Sequence, residues 1–214
     1  MSGTVNGSVN VPTNTTCVIS GAHVLGSIYV QPHSAVSVEG STVDGSVYGL
    51  NPSGSVGGGP DSVCLGSECF NSGSPGDTIR GQVLVDGATY TFLCGSSFGS
   101  NVTLNRGRFF EVGDPTADED PFGIRCAGNN LAGLTVTQNA DTTPGENPGI
   151  EENVTNGSVN IANNTSASRL IVDGNRIGGS LTCSGNTPPP DDLDAGVPDP
   201  NTVQGRKYAQ CAAL

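Results

Sequence analysis

The sequence has no tryptophan, one methionine and only eight basic residues among 214. The eight are Arg80, Arg106, Arg108, Arg125, Arg169, Arg176, Arg206 and Lys207, scattered along the chain. Binding a phosphate backbone needs a concentrated basic face, so nucleic acid is excluded as a partner. The apolar fraction is 34 %, and glycine supplies 32 residues. That is too little apolar mass and too little helix former for a helical bundle. Long apolar runs are missing, so no transmembrane segment is expected. No CxxC pair and no Cys/His ligand spacing occurs, which argues against a zinc site. A nucleophile elbow, a phosphate loop and a metalloprotease helix motif are likewise missing.

What is present is a repeat. Gly7-Ser8-Val9, Gly26-Ser27-Ile28 and Gly45-Ser46-Val47 are each 19 residues apart. Val5, Val24 and Val43 keep the same step, as do Val11 and Val30, Cys17 and Val36, and Ile19 and Val38. Within one repeat the apolar positions fall as i, i+2 pairs, Val9/Val11 and then Cys17/Ile19, followed by a lone valine. Pairs at period two are the inward residues of short strands. Three such strands separated by Gly, Asn or Pro corners make one three-sided coil, and stacked coils bury faces that no single coil can bury. The pattern returns at Ile79–Gly95, at Phe98, Val102 and Leu104, and from Gly157 to Leu181 with a step of 22. Cys126, Gly128, Leu131 and Gly133 match Ile19, Gly21, Val24 and Gly26 in spacing. The expected fold is all-β: one right-handed parallel β-helix (β-solenoid) of about eight three-sided coils, roughly 40 Å long at about 4.8 Å per layer. A β-sandwich of short strands is the competing fold, and it does not explain the constant offsets.

The whole chain, 1–214, reads as one domain. Residues 1–50 are regular coils, 51–77 and 105–123 are loop insertions, and 178–214 are the last coil with a C-terminal cap. Further insertions are read at about 138–153, 162–169 and 186–201. All are assigned to the connection between the first and second strands, which would gather them along one edge. Of the 20 acidic residues, 15 are read as loop residues of these insertions; Glu39, Asp44, Asp86, Asp173 and, within 105–123, Glu111 are read as wall residues. The net charge of −12 suits an extracellular protein kept in solution by its charge. It also suits a cation, and Asp114, Asp118, Glu119 and Asp120 form a dense oxygen cluster of the kind Ca²⁺ takes.

Seven cysteines are present. Cys64 and Cys69 share a Gly/Ser/Pro loop where a disulfide is the natural reading. Cys183 takes the inward offset of Val11, and a bond to Cys211 would pin the tail over the end of the stack, whose edge strands need covering. Cys94 and Cys126 remain as a pair, although Cys94 falls at an outward offset. Cys17, inward at the offset of Val36, is left odd. Sequons begin at Asn6, Asn14, Asn101, Asn153, Asn156, Asn163 and Asn164, as an Asn/Ser/Thr-rich chain produces by chance. Met1-Ser2-Gly3 leads straight into the repeat, which reads as a mature secreted protein given a new start.

The stretch Gly178-Gly179-Ser180-Leu181-Thr182-Cys183-Ser184-Gly185-Asn186-Thr187-Pro188, with Pro200-Asn201-Thr202-Val203-Gln204-Gly205 and Gln210-Cys211, resembles the C-terminal end of secreted bacterial β-solenoid proteins of the actinobacterial type, a group of unassigned function. The opening Gly-Ser-Val coils and Thr16-Cys17 resemble the same group. Together they cover about half of the chain. The resemblance implies secretion, the solenoid fold and the Cys183–Cys211 pairing, and it brings no catalytic residues. The coils are more weakly similar to bactofilins, intracellular β-helices that polymerise end to end.

The function expected is a non-catalytic secreted or cell-surface β-solenoid, a structural or binding module acting through its acidic loop edge on a glycan or another cell-surface partner. Three alternatives stand beside it. A self-assembling filament or homo-oligomer would join coils end to end. A polysaccharide-active enzyme would need two carboxylates meeting in a groove. An ice-binding face would need a regular threonine ladder, and Thr89-Tyr90-Thr91 and Thr135-Val136-Thr137 stand at different offsets. His23 and His33 also stand at different offsets and read as ordinary surface residues.

Overall fold

A computed structural model describes the chain except for residues 56–61, 68, 70–73, 115–125 and 195. It is a β-solenoid of about eight turns with three parallel faces. The first face stacks Val9–Val11, Ile28–Val30, Val47–Leu50, Val83–Asp86, Val159–Ala162, Leu181–Ser184 and Lys207–Ala209. The third face stacks two- and three-residue strands, among them Gly3–Val5, Ala22–Val24, Val154–Thr155, Arg176–Ile177 and Thr202–Val203. Ser97–Asn105 and Asn130–Thr137 run through the corner between these faces and join them into one 16-stranded sheet. The second face is a separate seven-stranded sheet: Thr16–Ser20, Ala35–Glu39, Val63–Gly66, Tyr90–Cys94, Phe109–Val112, Gly149–Glu151 and Ile171–Asp173.

The register is the one that the 19-residue step dictates. Val5 pairs with Val24, Val9 with Ile28, Val11 with Val30, and Cys17 with Val36. Inward side chains therefore pile up in columns of like residues, and one continuous core runs the length of the stack. Removing a valine or isoleucine from water in this way contributes about 1.5–3 kcal/mol each.

The repeated Gly-Ser has its own physical cause. A Cβ on Gly45 would lie 2.5 Å from the carbonyl oxygen of Gly26, and one on Gly81 would lie 2.5 Å from that of Gly45. At this corner successive main chains touch, so only glycine fits. The following serine binds the coils together. Ser27 donates its N–H to Ser8 Oγ (3.1 Å), Ser46 to Ser27 Oγ (3.0 Å) and Gln82 to Ser46 Oγ (3.1 Å).

Two further ladders are built from amide side chains. At the corner before the third face, Oδ1 of Asn153, Asn175 and Asn201 accepts the backbone N–H of Asn129, Asn153 and Asn175 in turn. Each Nδ2 donates to a main-chain carbonyl, as Asn153 does to Val112 (2.6 Å) and Asn175 to Ile150 (2.7 Å). Ser41, Asp77 and Ser96 carry the same column toward the N-terminus. Asn139, Asn164, Asn186 and Gln210 form a second ladder at the corner after the first face. These groups satisfy backbone donors that the corners would otherwise bury unpaired. Asn153 and Asn164, which begin sequons, are 1 % and 2 % exposed and spend their amides inside the ladders.

The placement of the insertions needs correction. The stretch 51–77 is not one loop, because it contains the second-face strand Val63–Gly66. In the same way 105–123 contains Phe109–Val112, and 138–153 contains Gly149–Glu151. Departures from the coil therefore fall at both corners that flank the second face, not along one edge. Cys126 is not the equivalent of Ile19; it makes an isolated antiparallel bridge with Asp114.

Because insertions rise on both sides, the outward surface of the second face is covered. Ser37, Cys64, Phe92 and Glu111 form one outward column, and all are 0 % exposed. Cys64, Cys69, Phe92, Cys94, Phe109 and Cys126 make a second apolar cluster there, with Tyr90 against it. Phe109 lies 5.9 Å from Phe92 and 5.8 Å from Tyr90, both rings tilted. The outward offset of Cys94 thus leads into a second core, not into solvent.

Three disulfides are present: Cys64–Cys69, Cys94–Cys126 and Cys183–Cys211, with Cα separations of 5.6, 4.3 and 5.1 Å. Cys17 is free and half-buried. A 3₁₀ turn at Gln210–Ala213 lies across the last coil, and Cys211 and Leu214 join the core there. Among the described residues, no helix is long and apolar enough to cross a membrane.

Candidate functional site

The exposed third face carries a concave surface. Two depressions of about 450 and 400 Å³ adjoin on it and share Val154, Arg176 and Thr202. Those three residues form one outward column, since Val154 pairs with Arg176 and Arg176 with Thr202. The column crosses coils six, seven and eight. Glu152, Gly174, Asp199 and Pro200 close one side, and Asn156, Gly178 and Gln204 line the other.

The residues at its rim are placed by the corner geometry. The corner position before the amide ladder is left-handed and occupied by glycine in Gly21 (φ 60°), Gly40 (φ 56°), Gly95 (φ 59°) and Gly174 (φ 58°). In coil six that position is Glu152, with φ 52°. A side chain there costs about 1 kcal/mol, and such strain persists where the surrounding structure imposes it. The Asp199 main chain anchors to the same corner, its carbonyl accepting the Gly174 N–H at 2.8 Å. A Cβ on Gly174 would meet Asp199 Oδ2 at 2.7 Å and Glu152 Cγ at 3.0 Å. The two acids therefore face each other across a bare glycine.

Arg176 sits between the depressions. Its guanidinium makes no ion pair or side-chain hydrogen bond among the described residues, and neither do the carboxylates of Glu152 and Asp199. Other arginines are engaged. Arg80 pairs with Asp44 (2.7 Å), Arg106 with Asp86, Arg108 with Glu146 (2.7 Å) and Arg169 with Asp191 (2.6 Å). Bonding to Arg106 holds the Asp86 carboxyl below its ordinary range.

Eight other acids are inside the protein rather than on a loop edge. Glu39, Asp77, Glu111, Asp114, Asp141, Glu146, Glu151 and Asp173 are all buried. A Cβ at Gly149 would strike Oε1 of both Glu111 and Glu151, so glycine there makes room for two carboxyls. Asp141 and Glu146 meet under Arg108. Arg108 Nε lies 3.5 Å from Asp141 Oδ1, and its guanidinium lies 4.8 Å over the Tyr90 ring. The Tyr90 hydroxyl donates to Glu146 Oε1 at 3.4 Å. Burial pushes the Glu146 carboxyl up, and the charge of Asp141 and a hydrogen bond to it add to that, against the pull of Arg108. Both carboxylates turn onto the Arg108 guanidinium, which fills the place that a sugar would need between them. Glycoside hydrolysis needs about 5–5.5 Å, or about 6.5–9.5 Å, across the scissile bond. This cluster is a clasp on the 138–148 segment.

Of the proposed calcium ligands, Asp118, Glu119 and Asp120 lie outside the described residues. Asp114 is buried. Among the described residues no group of three or more His, Cys, Asp or Glu side chains could hold a metal. His23 Nε2 is 3.0 Å from Asp44 Oδ2, and His33 Nδ1 is 3.0 Å from Ser53 Oγ. The threonine columns are broken. Thr103 and Thr135 are neighbours, Asn160 follows, and then Thr182; Thr91 is buried on the second face.

No protein-family model matches the chain, and neither a curated protein nor a solved structure matches it significantly.

Proposed function

We propose that the protein is a non-catalytic structural and binding module of an oxidising compartment, secreted or displayed at the cell surface. The observation that carries this is where the disulfides lie. Each one fastens a departure from the regular coil. Cys64–Cys69 closes the end of a wall strand where the chain leaves it, and Cys94–Cys126 ties the segment after Val112 to the wall. Cys183–Cys211 holds the terminal turn across the stack. Disulfides persist where thiols are not kept reduced. With the amide ladders they make a stiff rod, and stiffness suits presentation of a surface more than a catalytic cycle with moving parts. The partner meets this rod at the corner between the second and third faces, where Glu152 and Asp199 are exposed acids from two insertions. Calcium is not required for this reading.

Fractionation of cells that express the protein natively tests it. The reading expects the protein outside the cytosol and accessible to added protease or antibody on intact cells. Confinement to the cytosol with reduced thiols overturns it.

A further inference from the structure

We propose that the groove around Arg176 binds a neutral oligosaccharide, held by Arg176 between Glu152 and Asp199. The inference rests on the reading of the protein as a binding module and names its ligand. The groove is open, shallow and as long as three coils, so it takes an extended ligand rather than a compact one. Its step of about 4.8 Å per coil is close to the length of one sugar unit in a chain. Each depression has the volume of an ordinary ligand site.

The lining selects the chemistry. Arg176 offers donors in a planar fork. Glu152 and Asp199 offer acceptors only, and each carboxylate can take two neighbouring hydroxyls. Thr202, Asn156 and Gln204 can donate and accept. A ligand that meets all of these at once must carry many groups that both donate and accept, which is the property of a polyol. Val154, 44 % exposed, supplies an apolar spot beneath the C–H face of a sugar ring. An anionic ligand would meet two carboxylates, and a cationic one would meet Arg176, so neither charge is favoured. The three charged groups line one depression and are unpaired among the described residues, and a neutral ligand can bridge them without displacing an ion pair. Glu152 also holds a corner position that glycine fills in four other coils, so its side chain is kept there against backbone preference.

The test uses the purified, oxidised full chain and a panel of hexasaccharides: cellohexaose, maltohexaose, mannohexaose, xylohexaose, laminarihexaose and N-acetylchitohexaose, with hexagalacturonate as the anionic comparison. Binding is read by titration calorimetry and by chemical-shift changes. At least one neutral hexamer is expected to bind with a millimolar or lower Kd. Glu152→Gly and Arg176→Ala should each weaken it about tenfold or more, with unchanged far-UV circular dichroism. Glu152→Gly is chosen because it restores the residue of four other corners, and an unchanged or higher melting temperature separates loss of binding from loss of fold. Binding of no neutral hexamer overturns the proposal. So does binding that survives both substitutions, or tighter binding of hexagalacturonate than of every neutral hexamer. The result does not depend on compartment. An extracellular protein that binds none of the panel fails this inference alone, and a cytosolic one that binds fails only the cellular role.

Discussion

Ser41 donates its backbone N–H to Oδ1 of Asp77 at 2.8 Å, in the column where Asn129, Asn153, Asn175 and Asn201 stand farther along. An asparagine in such a rung also donates its Nδ2 to a carbonyl, as Asn129 does to Leu93. Among the described residues Asp77 Oδ2 has no hydrogen-bond partner, and a protonated carboxyl there could donate as the amide does. Burial pushes the Asp77 carboxyl up to about 7, the charge of Glu39 adds to the rise, and the N–H groups of Ser41 and Gly66 oppose it.

That shift sets the sign of a pH effect. The folded-state value lies above the unfolded one. Between about pH 4 and pH 7 the native protein therefore keeps a proton that the unfolded chain releases. Stability falls as pH rises through that window, and the loss is complete above it. Asp77→Asn supplies the neutral donor permanently. The variant should match the wild type near pH 4 and exceed it at pH 8 by about 4 kcal/mol, or about 8–16 °C in Tm. Melting curves at the two pH values check this, and an equal offset at both contradicts it.

The Asn153 side chain serves three residues. Its Oδ1 accepts from Asn129 N and Nδ2, and its Nδ2 donates to Val112 O and Asn175 Oδ1. Asn153→Leu leaves buried donors and acceptors unpaired on both sides, at about 1–3 kcal/mol for each group lost. A drop in Tm of more than about 6 °C is expected, and a change within about 2 °C would show that the ladder does not stabilise the stack.

Two glycines separate close approach from backbone preference. Gly21 has φ 60° and open space within 4 Å of where a Cβ would stand, whereas a Cβ on Gly45 would overlap the main chain of Gly26. Gly21→Ala should cost about 1 kcal/mol. Gly45→Ala should cost more than about 3 kcal/mol, because two coils must part. Denaturant midpoints give the order, and equal costs would show that the coils are not in contact at this corner.

Glu152→Gly should raise stability by about 1 kcal/mol, seen as a higher denaturant midpoint. Destabilisation would mean that the Glu152 side chain contributes more to the fold than its backbone strain removes.

Much of the fold is legible in the sequence because Val5, Val24 and Val43 recur at one step with Val9 and Ile28 in phase. The pairs Val63/Leu65 and Phe110/Val112 are equally inward but sit inside segments of unequal length. There an isolated apolar pair carries no register, so the sequence alone reads both as loop. The amide ladder is harder to see, since Asn129, Asn153, Asn175 and Asn201 are spaced unevenly. A signal does exist, because each of the first three follows the corner residue Gly128, Glu152 or Gly174. The acids mislead for a physical reason: insertion residues read as solvent-facing, whereas Asp141, Glu146 and Glu151 are packed against the covered second face. The groove at Arg176 joins three coils whose spacing in the sequence gives no hint that Glu152 and Asp199 meet.

A disulfide-fastened rod of an oxidising compartment is tested most directly by thiol alkylation of the natively expressed protein before lysis, followed by non-reducing peptide mapping. Linked peptides are predicted for Cys64–Cys69, Cys94–Cys126 and Cys183–Cys211, with Cys17 as the one alkylated cysteine. Alkylation of all seven cysteines would contradict the rod and its compartment together.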